Sequence, residues 1–532
     1  MRYVKWLAIL GVFGASCAES ADEPELATQQ VQSPVMTVAA AVQHDMSAPL
    51  RDAPVIIARA AKEHAEHPIG RIPLKDGPNL DDPVVQTQAG PTPRFPAVSP
   101  VLNFAGVGNG DYGFAPDAAP PDTNGVVGAT QYVQWVNESF AVFNKTTGAI
   151  APGFPKAGNS IWAGFGGGCE TNNDGDPVVQ YDKAANRWIL TQFSVSTTPF
   201  LQCVAVSTTS DATGTYARYA FQYANFPDYP KLSVWPDGYY ISFNIFTNTF
   251  QGALACAYDR AAMLAGGPAT QICFQQPNTV ASLLPSDLDG STSPPAGSPN
   301  FFVTLQTTTS LNLFKFKVNS FSPPSATFTG PTSIPVASFS TACRNGGACI
   351  PQSGTSQQLD SLSDRAMYRL AYRNIGGHEA LLLSHSVSTG RKTPSGIRWY
   401  ELRSPLTGTF SVFQSGTFAP ADGLFRWMPS IAMDKVGDIA VGYSTSSSTT
   451  HPGIRYAVRA PTDAAGTLGS ETVVITGNGS QLTSLNRWGD YSAMTIDPVD
   501  DCTFWFTNEY LKANGTFNWS TQIASFKLAG CQ

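Results

Sequence analysis

An all-β fold is what this sequence predicts, on three observations. Only 13% of its 532 residues are charged while Gly and Pro number 47 and 40, the composition of short strands joined by tight turns. From about Pro100 onward, β-branched and aromatic runs alternate. Similar units also recur, opening at Asp122-Thr-Asn-Gly, Gly175-Asp176-Pro177, Asp228-Tyr229-Pro230, Asp287-Leu-Asp-Gly290, Asp364-Arg365, Arg426-Trp427 and Arg487-Trp488-Gly489-Asp490. Six intervals separate Asp122 from Asp490 and average about 61 residues, the length of four strands with generous loops. Seven such units predict a single seven-bladed β-propeller over residues 98–532.

The units are alike inside as well as at their openings. Asp176-Pro-Val-Val-Gln-Tyr-Asp182 runs through a turn into Arg187-Trp-Ile-Leu-Thr-Gln-Phe193. Met433-Asp434 to Asp438 likewise runs into Ile439 to Tyr443, and Ile496-Asp497 to Asp501 into Cys502 to Phe506. Each is a strand, an Asp-bearing hairpin and a strand. Ser210-Asp211-Ala-Thr-Gly214 and Thr462-Asp463-Ala-Ala-Gly466 form a second shared element at the outer half of blades.

Ahead of the repeats lies a leader of different character. Arg2 and Lys5 precede an apolar run from Trp6 to Ala15 that is too short to span a bilayer, so residues 1–17 read as an export signal. Gly14-Ala15-Ser16-Cys17 resembles a lipobox, which would make Cys17 a lipidated N-terminus; cleavage after Ala18 is the alternative. Residues 18–97, rich in Ala, Pro, Gln and charge and without strand alternation, predict a low-order tether with one helix-like stretch from Pro54 to His67. The protein is expected in the cell envelope or outside the cell, touching membrane only through that lipid.

Eight cysteines remain beyond Cys17. Proximity groups them as Cys169/Cys203, Cys256/Cys273, Cys343/Cys349 and Cys502/Cys531, and no C-x-x-C or zinc-finger spacing competes for them. They predict four local disulfides formed in an oxidising compartment.

Three phrases carry a family resemblance: Arg487-Trp-Gly-Asp-Tyr-Ser492 with Cys502-Thr-Phe-Trp-Phe-Thr-Asn-Glu509, Asp228-Tyr-Pro-Lys-Leu-Ser-Val-Trp-Pro-Asp-Gly238, and Ser363-Asp-Arg-Ala-Met-Tyr-Arg-Leu-Ala-Tyr-Arg373. Together with residues 210–214 and 462–466, which resemble degraded Asp-box turns whose Asp ties down a hairpin in that fold, they make residues 100–532 resemble secreted bacterial propellers of the broad sialidase-like type. The resemblance implies the architecture and leaves the activity open.

Chemistry concentrates at the openings of the units. Arg365, Arg426 and Arg487 each stand six residues before an alanine that Tyr or Met follows, at the expected start of an innermost strand. Three converging guanidinium groups would suit a carboxylate or sulfate; inter-blade ion pairing is their structural alternative. Sialidases use three arginines in this way, but no match for their acid and nucleophile positions is found here. Asp176, Asp228 and Asp490 form a complementary set. Paired carboxylates suit glycosidic acid and base work or a calcium ion; capping of turns is the plainer role. Tyr229, Tyr368 and Tyr491 lie beside them as sugar-stacking faces or a nucleophile. Asn172-Asn-Asp-Gly-Asp176 and Asp287-Leu-Asp-Gly290 resemble calcium loops without EF-hand spacing. No cofactor is required.

Several classes drop out. The formal net charge of −7, without a basic block, excludes a nucleic-acid partner. His378-Glu379 lacks a second histidine at Leu382, and there is no G-x-S-x-G elbow or phosphate loop. The expected function is a propeller that binds an extracellular ligand, an acidic glycan or a surface protein, at its channel mouth. A glycoside hydrolase or polysaccharide lyase and a structural envelope scaffold are the alternatives.

Overall fold

Each repeat folds as an antiparallel meander, as its alternation and its Asp-bearing hairpins dictate. The computed structural model describes residues 34–53, 62–63, 81–88, 98–343, 346–390 and 393–532. Among them, seven meanders of four strands succeed one another. Their innermost strands are Asn124–Val127, Val178–Asp182, Phe226–Val234, Leu284–Leu288, Leu370–Asn374, Phe425–Met433 and Ala493–Ile496. Each of these packs against the next in that order, and the last returns to the first. The chain is a β-propeller, and we number its blades from the one opening at Asn124. Innermost strands of the fourth and fifth blades also pair directly in parallel, Ser286 opposite Leu370.

The start of the inner strand is bent in the same way in several blades. Asp122, Asp176, Tyr229, Ser282 and Met428 all take left-handed backbone, with φ from 46° to 55°. Pro177, Pro230 and Pro429 follow three of them and cannot donate to the ladder. In the third and sixth blades the pairing register slips there, between Asp228 and Lys231 and between Trp427 and Ser430. Such bulges interrupt the ladder and re-aim the side chains beside them.

Ring closure uses both ends of the described fold. Leu102–Ala105, from ahead of the first blade, forms the outer strand of the last one by pairing with Trp519–Phe526. Cys502–Cys531 staples that same blade, and Cys169–Cys203, Cys256–Cys273 and Cys343–Cys349 also form as the sequence spacing groups them. Four bridges point to folding in an oxidising compartment. Among the described residues no helix is long and apolar enough to cross a membrane.

Residues 34–53 and 81–88 depart from the low-order tether expected over 18–97. Met36–Ala40 adds a fifth strand to the third blade, pairing with Thr270–Gln275, and Gln43–Met46 adds one to the second by pairing with Tyr216–Tyr223. Val85–Gln86 pairs in parallel with the outer strand of the fifth. The first two of these strands lie on outer edges with exposed side chains: Met36 is 37% and Met46 50% exposed. Strand addition of this kind is driven by backbone hydrogen bonds, so no alternation announces it. Ion pairs lock the arm, among them Asp45 with Arg218 at 2.6 Å and Asp82 with Arg398 at 2.7 Å. Of the helix expected over Pro54–His67, only Lys62–Glu63 is described, and it is strand, pairing with Ala118–Ala119. The export signal and Cys17 lie outside the described residues.

Candidate functional site

The unit openings of the first, second, third and seventh blades converge at one mouth of the ring. Asp122, with its left-handed backbone, accepts the Asp490 amide at 2.6 Å and the Asn137 side-chain amide at 2.7 Å. The Asn137 oxygen in turn accepts the Asp176 amide at 3.1 Å. Tyr229 donates to the Asp490 carbonyl at 3.0 Å, and Tyr491 to the Pro230 carbonyl at 2.9 Å. The predicted carboxylates Asp176, Asp228 and Asp490 are therefore brought together, with Asp122 among them.

Cations thread this cluster but are committed to partners. Arg487 pairs with Asp490 at 2.8 Å and with Asp360 at 3.1 Å. Arg365 pairs with Asp364 at 2.8 Å and lies 5.2 Å from the Tyr229 ring centroid. Lys231 donates to the Tyr229 carbonyl at 3.1 Å, its ammonium 3.0 Å from that ring's centroid.

Carboxyls outnumber these cations, and burial among like charges holds protons on them. Burial first, and then Asp490, pushes Asp228 up to about 7. Burial with Asp490 also pushes Asp122 well up, and burial with Asp122, Asp228 and Asp490 does the same to Asp176. Glu509 rises for the same reasons, with Asp122, Asp360 and Asp490 around it. Both its carboxyl oxygens lack a hydrogen-bond partner. Gly489 leaves it room: a Cβ there would stand 2.9 Å from the Glu509 Oε1. Lys231 is driven the other way, well below the usual amine range, by burial and by Arg365.

The arginine trio does not converge. Arg426 forms bidentate contacts with Glu471 at 2.7 and 2.9 Å and pairs with Asp422 at 2.7 Å, all within or beside its own blade. Its spacing to the following alanine matches that of Arg487, but its backbone does not. Residues 425–427 are already paired with 444–446, so strand alternation sets the direction of Arg426. In the last blade pairing begins only at Ala493, so Arg487 is free to turn inward.

The three tyrosines and the two Asp-rich loops are engaged within the fold. Tyr229, Tyr368 and Tyr491 are at most 3% exposed, so they support the mouth from beneath and offer no open stacking face. Burial first raises the hydroxyl of each above the ordinary phenol range, which disfavours a phenolate nucleophile. Asp174, in the first loop, caps the Val195 and Ser196 amides at 2.7 and 2.8 Å. Asp287 and Asp289, in the second, clamp Arg369 at 2.8 and 2.6 Å. Arg369 also donates to the Met494 carbonyl at 3.1 Å. It thus ties the fourth, fifth and seventh blades together and narrows the other end of the channel to a cavity of about 20 Å³ lined by Gln180, Lys183 and Thr495. Among the described residues no group of three or more His, Cys, Asp or Glu is arranged to hold a metal ion.

Five members of the mouth escape the sequence reading: Asp122, Lys231, Asp360, Asp364 and Glu509. The first four stand at or near unit openings, which was an available signal. Glu509 lies in a second strand, Phe504–Leu511, and only the closed ring brings it to the axis.

Stability should carry the signature of the raised carboxyls. An acid whose folded pKa exceeds its unfolded value stabilises most below the unfolded value and loses that contribution as pH rises through the folded one. Asp228 should therefore cost stability between about pH 4 and 7, with a slope of up to about 1.4 kcal/mol per pH unit. His385 works oppositely, because burial and then Arg398 hold it down to about 3, so its contribution fades as pH falls below about 6.5. Urea titrations from pH 4 to 8 on wild type and Asp228→Asn separate the two. The variant should gain on wild type as pH rises, and a difference independent of pH would contradict the raised pKa.

No family model matches the chain, and no curated protein matches it in sequence. Among solved structures it is similar to the N-terminal domain of Nup159, with 8% identity, 88% of this chain and 100% of that one covered, and a TM-score of 0.34. The α-L-arabinofuranosidase Arb93A of Fusarium graminearum matches at 8% identity over 86% of this chain and 99% of its own, TM-score 0.33. A polysaccharide lyase of family PL25, an ulvan lyase, matches at 11% identity over 77% and 81%, TM-score 0.29. Likenesses this low leave the fold resting on the ring geometry above.

Proposed function

We propose that this propeller is exported and binds an extracellular glycan at the mouth of its ring, through carboxyl groups and not through an arginine trio. One observation carries it: Asp122, Asp176, Asp228, Asp490 and Glu509 meet at that mouth, with protons held on several of them. A protonated carboxyl donates and accepts while a carboxylate accepts at both oxygens, which is the pairing that rows of sugar hydroxyls need. Asp228, partly exposed, is the group a ligand reaches first. Arg365 and Arg487 are engaged by Asp364, Asp360 and Asp490, which turns the expectation away from an acidic glycan.

Asp228 and Asp490 also suit acid–base cleavage of a glycosidic bond, because a carboxyl poised near 7 beside an ion-paired one is the division of labour that reaction uses. A panel of neutral, acidic and amino-bearing oligosaccharides, read by calorimetry and by release of reducing ends, tests both. Binding should weaken by about 1.5–3 kcal/mol in Asp228→Asn, the range for a hydrogen bond to a charged group. Absence of binding across the panel would return the protein to the scaffold alternative.

A further inference from the structure

We infer that the glycan carries primary ammonium groups, as an amino sugar polymer does, and that binding it displaces protons from the mouth. The inference rests on the glycan-binding function proposed above and narrows its ligand.

The described cations of the mouth are spoken for. Arg487 serves Asp360 and Asp490, Arg365 serves Asp364, and Lys231 is held by the Tyr229 carbonyl and ring. Among the described residues, Asp122, Asp176, Asp228 and Glu509 share these three with no cation of their own. Glu509 is the clearest surplus: it is 1% exposed, both oxygens lack a hydrogen-bond partner, and it faces Asp122, Asp360, Asp490 and Arg487. A buried polar group left without a partner is costly and calls for an explanation. A ligand that supplies positive charge and N–H donors to this cluster provides one.

Size and chemistry favour a primary ammonium. The mouth opens at Asp228, with Asp176 and Asp490 only 8% and 7% exposed, so the entering group must be compact. An ammonium is a compact point charge with three donors. An anionic sugar would instead meet a surplus of carboxyls.

Proton balance follows directly. Asp228 is faced by Asp490, Arg365, Lys231 and Arg487, and Asp176 by Asp122, Asp228, Asp490, Arg487, Lys231 and Tyr491. When an ammonium arrives beside them, each carboxylic acid that ionises against it releases its proton to solvent. No covalent bond changes in the ligand.

Glucosamine oligomers and N-acetylglucosamine oligomers of equal length, titrated calorimetrically at pH 6 in two buffers of different protonation heat, test this. The amine form should bind at least tenfold more tightly and release protons, and Asp228→Asn should lower the number released. Equal affinity for the acetylated form, or no proton release, would overturn the inference while leaving a glycan ligand in place. If a lysine-rich peptide bound more tightly than any oligosaccharide, the ligand would be a protein and the amino-sugar assignment would fall. Failure of every glycan to bind would overturn the proposed function, and the ammonium inference with it.

Discussion

A chain beginning at residue 98, the boundary the repeats suggest, should fail to give a stable propeller. Such a chain loses Asp82, whose carboxylate meets Arg398 at 2.7 Å with both side chains fully buried, and which also accepts the Thr417 hydroxyl at 2.7 Å. The guanidinium would remain buried with only neutral partners, the Thr417 hydroxyl and the Ala337 and Ser338 carbonyls. Removing one member of a buried pair costs about 3–5 kcal/mol, a large share of the roughly 5–15 kcal/mol that holds a domain together. Loss of the added strands on the second, third and fifth blades compounds it by opening their edges to pairing with other chains. Asp82→Ala in the full chain isolates the ion-pair part. A truncated chain that is monomeric and melts like the full one would show the arm to be dispensable.

Arg426→Ala should be the most damaging of the three arginine substitutions to the fold, and neutral toward ligand. Its guanidinium is fully buried against Glu471 and Asp422, and Tyr443 adds a hydrogen bond to the same Glu471 at 2.8 Å. The alanine variant leaves Glu471 with the Tyr443 hydroxyl and, as its one described ion-pair partner, Arg455 at 3.3 Å. A loss of about 3–5 kcal/mol is expected, read as a lower urea midpoint with unchanged glycan affinity. Arg487→Ala should do both, because it removes the ion-pair partner of Asp490 and one partner of Asp360 at the mouth itself. A change in ligand affinity in Arg426→Ala comparable to that in Arg487→Ala would put the trio back together.

Much of the architecture was legible because it is written locally. Strand, Asp-bearing hairpin and strand recur in units such as Asp176 to Phe193, and the left-handed residues before Pro177 and Pro230 belong to openings that are visible as repeated phrases. Cysteine proximity named all four bridges for a similar reason: each bridge closes within or beside one blade. The arm was not legible, because Met36–Ala40 and Gln43–Met46 pair through backbone with side chains exposed, and composition there looks like that of a tether. At the site, Asp176, Asp228 and Asp490 were recoverable from their position in each unit. Arg426 and Arg487 were indistinguishable by spacing, because the number of residues paired ahead of the alanine, which the spacing does not record, decides where each side chain points. Glu509 shares its blade with Arg487 and Asp490, but it meets Asp122 and Asp360, which belong to other units, only when the ring closes.

Titration of the aspartate side-chain carboxyls by carbon-13 NMR, with Asp228→Asn to assign the signal, tests the mouth most directly. The Asp228 carboxyl should titrate with a midpoint near 7, and amino-sugar oligomers should move that midpoint down. A midpoint near 4, the value of an ordinary aspartate in water, would mean that the carboxyls of the ring hold no protons at neutral pH.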